Sequence, residues 1–295
     1  MFLDSFIQLL PIFVLGAGGF FTSKLMKIDN ETMIRLAADF FMPALVFHSL
    51  YTSDLSGSLV LSLSGATTLL IALLLAVTYL YAKAVKINAH EFMPASVFIN
   101  AGFLGIPLMK LWGGLAAMNL IVIFDQVQTA YIFTFGVFII AGGFSSKSLL
   151  EIVKTPVLWA IILGFAFKYL GLTIGEPILR TLEFAGNAAP PMAAYILGAS
   201  LHLNKIKFNT HVVAGVVIRL AGGFLLGWAC ALIFGLSGLA KTVFIVASSI
   251  PSAIFTAVLP MRYNRPSAYA GSIVIISNVI SIFTLPIAFM LASKL

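Results

Sequence analysis

Between Phe98 and Gly114 the chain reads FINAGFLGIPLMKLWGG, part of an apolar run long enough to span a bilayer. Asn100, Gly102, Gly105 and Pro107 fall in the middle of that run. Glycine is entropically costly inside a helix and proline removes a backbone donor, so the run does not read as one continuous helix. In hydrocarbon an unsatisfied backbone group costs several kcal/mol, so an interrupted span needs protein or a water-filled cavity around it. Ala247 to Pro260, ASSIPSAIFTAVLP, has the same character in the C-terminal half. Interrupted spans in matching positions of two halves point to a secondary transporter with its site at the breaks.

Composition fixes the solvent. Of 295 residues 61% are hydrophobic and only 9% are charged, against roughly 25% charged in soluble domains. The class is therefore an all-α membrane protein with many spans. The short alternating segments of a β-barrel are absent. The net charge of +7 comes from basic residues scattered through short loops, which is the pattern of membrane orientation and not a nucleic-acid footprint. One cysteine, Cys230, excludes an internal disulfide and reads as a packing residue. The start, MFLDSFIQLL, lacks the basic region of a cleaved signal peptide and reads as the beginning of the first span. No polar segment is long enough for a soluble domain, and no cofactor or metal is expected.

At ~20 residues per span the chain divides into about ten. Their limits are 5–23, 33–52, 59–83, 92–112, 118–141, 155–171, 178–201, 211–235, 240–261 and 268–292. The odd-numbered connections carry Lys24, Lys27, Lys83, Lys86, Lys147, Lys154, Lys205, Lys207, Arg262 and Arg265. The even connections and the C-terminus carry only Lys110, Lys168, Arg180, Lys241 and Lys294, with Asp4, Asp54 and Glu176 on the same side. The basic side is cytoplasmic, which places both termini outside. Residues 1–141 and 155–295 then form two five-span halves of opposite orientation, joined by a short cytoplasmic linker at 142–154. Weak internal symmetry supports this. Asp39 and Pro43 match Asn187 and Pro191 with the same spacing, Pro107 answers Pro251, and Gln128 falls near the level of Asn278. Proline in the middle of spans two and seven predicts a bend in each.

At these residues the chain resembles the auxin efflux carrier family in its compact prokaryotic form. The likeness lies in FFMPALVFHSLYTSDL, NAGFLGIPLMKLWGG, DQVQTAYIFTF, SSIPSAIFTAVLPMRYN and SIVIISNVISIFTLPIA, with the second and fourth of these stretches the most specific. The resemblance implies ten helices in two inverted repeats of five, with broken helices 4 and 9 crossing at the midplane. It implies a scaffold of spans 1, 2, 6 and 7, often dimeric, and a moving transport domain of spans 3–5 and 8–10. It implies organic anions as substrates, indole-3-acetate in plants and dicarboxylates such as malate and malonate in bacteria. Three departures stand out. The long hydrophilic loop of many plant carriers is reduced to Gly142–Lys154. The sixth span opens KTPVLWA without the plant asparagine. Asp39 and Asp125 are carboxylates where the plant proteins look apolar.

A physical argument for an anion site stands beside the resemblance. Each half-helix that begins after a break presents unpaired N–H groups and the positive end of its dipole, which bind carboxylates and phosphates. The expected site is Asn100, Gly105, Pro107 and Gln128 in the first half and Ser248, Ser249, Pro251, Ser252 and Asn278 in the second. Ionised Asp39 and Asp125 would be costly in hydrocarbon and so read as ion-coupling residues. Asp125 lies three residues before Gln128, on the same helix face, and is expected to couple transport to H⁺ or Na⁺. Asp39 reads equally as an ion-pair partner of Arg35. Arg219, the one basic residue deep in a span, is open between substrate attraction, pairing with an acid and snorkelling. The competing function is a sodium-coupled symporter of the bile-acid type with Na⁺ near Asp125. An intramembrane enzyme is disfavoured by the lack of an HExxH pair or a Ser–Lys or Ser–His arrangement at helical spacing. A solely structural role or a receptor would need neither breaks nor buried acids.

Overall fold

The computed structural model describes residues 2–26, 28–52, 55–132, 135, 154, 156–201, 208–254, 256–257 and 268–295. Among them the regular elements are helices, with no strand beyond one isolated bridge. The expected linker at 142–154, apart from Lys154, lies outside the described residues, as do Lys27, Asp54, Lys147, Lys205, Lys207, Arg262 and Arg265 of the loop-charge count.

In chain order the helices are α1 (Phe2–Leu25), α2 (Asn30–Leu36), α3 (Met42–Tyr51), α4 (Gly57–Ala84), α5 (Ala89–Val97) and α6 (Ile106–Tyr131). After these come α7 (Pro156–Tyr169), α8 (Glu176–Gly186), α9 (Ala189–Leu201), α10 (Thr210–Val217), α11 (Gly223–Ile233), α12 (Gly238–Ser248) and α13 (Ala268–Ala292). Asp29, Ser56, Asn88 and Asn209 open α2, α4, α5 and α10, each accepting a backbone N–H from the first turn. At Asp29 the Thr32 hydroxyl also donates, 2.6 Å away, and this bond holds the carboxyl below the usual carboxylate range.

The interruptions follow from backbone chemistry. Pro43 and Pro107 stand in the first turns of α3 and α6, and each is preceded by a π-helical turn, Ala37–Phe41 and Ala101–Gly105. A proline ring crowds the carbonyl four residues back and offers it no N–H, so the ladder widens there. A third π-turn, Ile218–Gly222, joins α10 to α11 without a proline. The span expected at 178–201 is divided at Asn187–Ala188. The connection expected between spans four and five falls at Gly113 and Gly114, whose non-helical backbone divides α6 into two helical stretches and where Gly114 takes a φ of +66° that favours glycine.

Among the described residues five helical stretches are long and apolar enough to cross a membrane: Glu31–Tyr51, Gly57–Ala84, Ala101–Tyr131, Thr210–Ile233 and Tyr269–Ala292. Leu10–Leu25, Pro156–Tyr169 and Gly238–Ser248 are shorter apolar helices. Large apolar side chains cover the outer surface, among them Leu61, Leu80, Phe184 and Phe283. Such a surface is stable against lipid and not against water. The protein is a multi-pass, all-α membrane protein.

Close helix packing uses glycine. A Cβ on Gly198 would lie 1.7 Å from the Gly16 carbonyl oxygen, and one on Gly19 would lie 2.0 Å from that of Tyr195. Thus α1 and α9 meet backbone to backbone. Gly186 meets the Leu45 backbone in the same way, which seats α8 on α3, and α7 packs on α3 beside it. In a second group α4 packs on α5, α6 and α11, α12 on α6, α11 and α13, and α13 on α5 and α10. The groups touch where α1, α3 and α9 meet α6, where α9 meets the Ala101–Gly105 turn, and where α1 meets α13.

Candidate functional site

At the two breaks the chain is extended and the broken segments cross. Ile99 and Ser252 form an isolated antiparallel bridge. The Asn100 N–H donates to the Pro251 carbonyl at 2.8 Å and the Ala253 N–H to the Phe98 carbonyl at 3.0 Å. In this arrangement the backbone groups of Ile99 and Ser252 themselves point outward, away from the partner strand. Both outward edges are closed by side chains. On one edge Gln128 of α6 donates from Nε2 to the Ile99 carbonyl at 2.8 Å and accepts the Ile99 N–H on Oε1 at 2.8 Å. On the other edge the Ser252 N–H donates to Ser277 Oγ at 3.1 Å, and Asn278 Nδ2 donates to the Ser252 carbonyl at 3.1 Å. A two-strand ribbon buried among membrane helices thus has every backbone group of its central pair satisfied, as hydrocarbon requires.

The expected site residues fall into three sets. Asn100, Gln128, Pro251, Ser252 and Asn278 meet at the crossing. The Asn100 carbonyl accepts from the Leu104 and Gly105 amides at 3.2 and 3.0 Å, which starts the next half-helix. Its side-chain Nδ2 is buried and has no partner, and the same holds for Oδ1 of Asn278. Gly105 and Pro107 shape the turn: a Cβ on Gly105 would strike Ile121 Cδ1 at 2.4 Å. Asp125 stands at the rim. A Cβ on Gly102 would lie 4.0 Å from its Oδ1, while its Oδ2 accepts from Gln126 Nε2 at 3.3 Å.

The second set bonds locally. Ser248 Oγ donates to the Phe244 carbonyl and Ser249 Oγ to the Val246 carbonyl, within α12 and its cap. The third is Asp39 alone, exposed on the π-turn between α2 and α3. Its suggested partner Arg35 pairs instead with Glu31, at 2.5 Å, on the same helix. No group of three His, Cys, Asp or Glu side chains able to hold a metal occurs among the described residues.

Three sets of contacts escaped the residue-by-residue reading, which named Arg219 but not its backbone partners. Arg219, fully buried on the Ile218–Gly222 turn, donates from Nη1 to the Val97 carbonyl and from Nη2 to the Ser248 carbonyl. Ser252 Oγ donates to the Ala95 carbonyl, a further tie between the two breaks. Gly223 and Gly227 let α11 approach Ser248, since a Cβ on either would lie 2.1 and 2.3 Å from Ser248 atoms. Their small-xxx-small spacing is a sequence signal for such an approach. A cavity of about 440 Å³ lies elsewhere, between the start of α4, α6 and the α11–α12 turn, lined by Ser58, Ser62, Leu120, Phe234, Ser237 and Leu239 among others. None of the expected site residues line it.

A family model described as membrane transport protein matches the chain twice, over residues 4–146 and 143–289. The chain is 28% identical over 301 residues to an uncharacterized transporter of Methanothermobacter thermautotrophicus, covering 97% of this chain and 98% of that protein. It is 25% identical over 277 residues to an uncharacterized transporter of Methanocaldococcus jannaschii, covering 88% and 87% respectively.

Proposed function

Because the chain belongs to the membrane transport protein family, that of the auxin efflux carriers, we propose that it is a secondary active transporter of small organic anions, with the substrate carboxylate bound at the crossing of the two broken segments. The observation that carries this reading is the buried, unpartnered Asn100 Nδ2 at the first turn of a half-helix. A buried donor without a partner is costly, and a carboxylate would satisfy it together with the first-turn amides. The crossing joins both halves of the chain, as a site shared by two inverted five-helix repeats requires. On this reading α1–α3 and α7–α9 form the scaffold, through which two copies dimerise. The second packing group, α4–α6 and α10–α13, forms the transport domain and moves by an elevator mechanism. Both termini face the extracytoplasmic side of the cell membrane.

The coupling ion is H⁺ or Na⁺, carried at Asp125. One observation favours the sodium-coupled, bile-acid-type alternative: the Asp125 carboxylate stands at the rim of the break near Gly102, where backbone carbonyls and a carboxylate can gather around a cation. A thermal-shift series with malate and malonate, with and without Na⁺ and at two pH values, tests both readings, because a specific ligand stabilises by mass action. Carboxylate stabilisation that disappears in Asn100→Leu supports the site. A sodium requirement that survives in Asp125→Asn removes Asp125 from coupling. Absence of carboxylate flux into proteoliposomes, by the wild type under every ion condition, refutes the function.

A further inference from the structure

Among the described residues three helix ends meet at the crossing, two negative and one positive. Helices α5 and α12 arrive with their C-termini, the negative ends of their dipoles, and the half-helix that begins at Ala101 leaves with its positive N-terminus. Val97 and Ser248 are the last residues of α5 and α12. Arg219 donates to both of their carbonyls, one from each terminal nitrogen. Its side chain is fully buried and, among the described residues, no acid pairs with it. Its Nε has no partner. Gly223, one turn along, cannot carry a Cβ because Ser248 O and Arg219 Nη2 occupy that space at 2.1 and 2.4 Å. One unpaired guanidinium therefore covers both negative helix ends, while the carboxyl of Asp125 stands near the positive end at Gly102.

We infer that Arg219 sets the charge selectivity of the crossing: it cancels the field of the two arriving C-termini, so the helix ends at the break favour anions whenever Asp125 is neutral or paired with its coupling cation, without contact between Arg219 and the ligand. It is a specificity-determining positioning residue. The inference rests on the crossing being the substrate site, but its test reads the potential itself and needs neither ligand nor transport. A cysteine is placed at Gly102, which is partly exposed and where a Cβ finds no protein atom closer than 4.0 Å. The native thiol is removed by Cys230→Ala. Rates of modification by an anionic and a cationic methanethiosulfonate of similar size are measured, and their ratio cancels the intrinsic reactivity of the thiol.

All variants carry Asp125→Asn, because that carboxyl lies beside the reporter, and with Arg219 present the ratio then favours the anionic reagent. In Arg219→Met it falls by about tenfold, the scale of one unit charge nearby at an effective dielectric near 20. In Arg219→Lys, which keeps the charge and loses the fork, it stays within about twofold of the parent, because a point charge supplies most of the field. In the same Asp125→Asn background, which removes the titratable carboxyl beside the reporter, Arg219→His supplies the comparison inside one protein, with the ratio falling as the imidazole loses its proton and no such change when Arg219 is kept. A folded Arg219→Met protein with the parental ratio overturns the inference. So does a ratio in Arg219→Lys as low as in Arg219→Met, which would mark the residue as a hydrogen-bonding staple only. If neither neutral form folds while Arg219→Lys does, the charge serves assembly of the crossing and the selectivity role is rejected. Loss of carboxylate transport with an intact reagent ratio would count against the proposed function and leave this inference standing.

Discussion

Replacing Gln128 by leucine removes two bonds at once, because both ends of its amide are spent on Ile99, at 2.8 Å each. The volume change is small, so the cavity contribution is minor. What remains is the Ile99 N–H and C=O, buried with no water at hand, since Ile99 is 2% exposed. An orphaned buried polar group costs ~1–3 kcal/mol, so the pair amounts to about 2–6 kcal/mol. Gln128→Glu separates the two bonds. The carboxylate still accepts from the Ile99 N–H but opposes the Ile99 carbonyl, and its charge is stranded among apolar helices. Both variants are expected to be destabilised in denaturant titrations in mixed micelles, glutamate at alkaline pH no less than leucine. Carboxylate binding, measured on the fraction that remains folded at low temperature, is expected to weaken only in proportion to the loss of the ribbon. A Gln128→Leu protein as stable as the parent that no longer binds carboxylates would refute the clamp and assign Gln128 to the ligand.

Gly198→Ala is expected to destabilise the α1–α9 contact by ~1–3 kcal/mol or more, because its Cβ would lie 1.7 Å from a backbone oxygen. Gly18→Ala, on the same pair of helices but with nothing within 4 Å, is expected to be neutral or slightly stabilising in the same denaturant titration. Asn119, on α6, binds Ser49 of α3 through both ends of its amide and is 3% exposed. A double-mutant cycle with Asn119→Leu and Ser49→Ala is expected to give a coupling of ~0.5–3 kcal/mol, and additivity would show that the contact carries no energy.

The interruptions were legible because their cause is local. Pro43 and Pro107 each open a helix directly after a π-turn, and glycine and proline act within one turn of where they stand. Polar identity at the crossing was legible too, as Asn100, Gln128 and Asn278 all meet there. Bonding was not. Gln128 lies 29 residues from Ile99, and its partners are a backbone N–H and C=O, groups that every residue offers and no sequence marks. The same reason hid Arg219, whose partners are two carbonyls and not the anion or acid that a lone buried charge suggests. Asp39 shows the converse limit. Its place inside an apolar stretch suggested burial, but which side of a helix faces the interior is decided by neighbours far away in the chain.

The Ile99–Ser252 bridge also bears on how the protein is made. The Asn100 N–H and the Phe98 C=O find their partners only on Pro251 and Ala253. A nascent chain that has released α5 and α6 therefore holds two open backbone groups for the whole time needed to synthesise the next hundred or so residues, each costly in lipid. The second half meets the same difficulty if it is made alone. The crossing therefore closes late: a chain stopped before Ala253 leaves the bridge open, and one stopped before Ser277 and Asn278 still leaves the outward groups of Ser252 unpaired in the membrane.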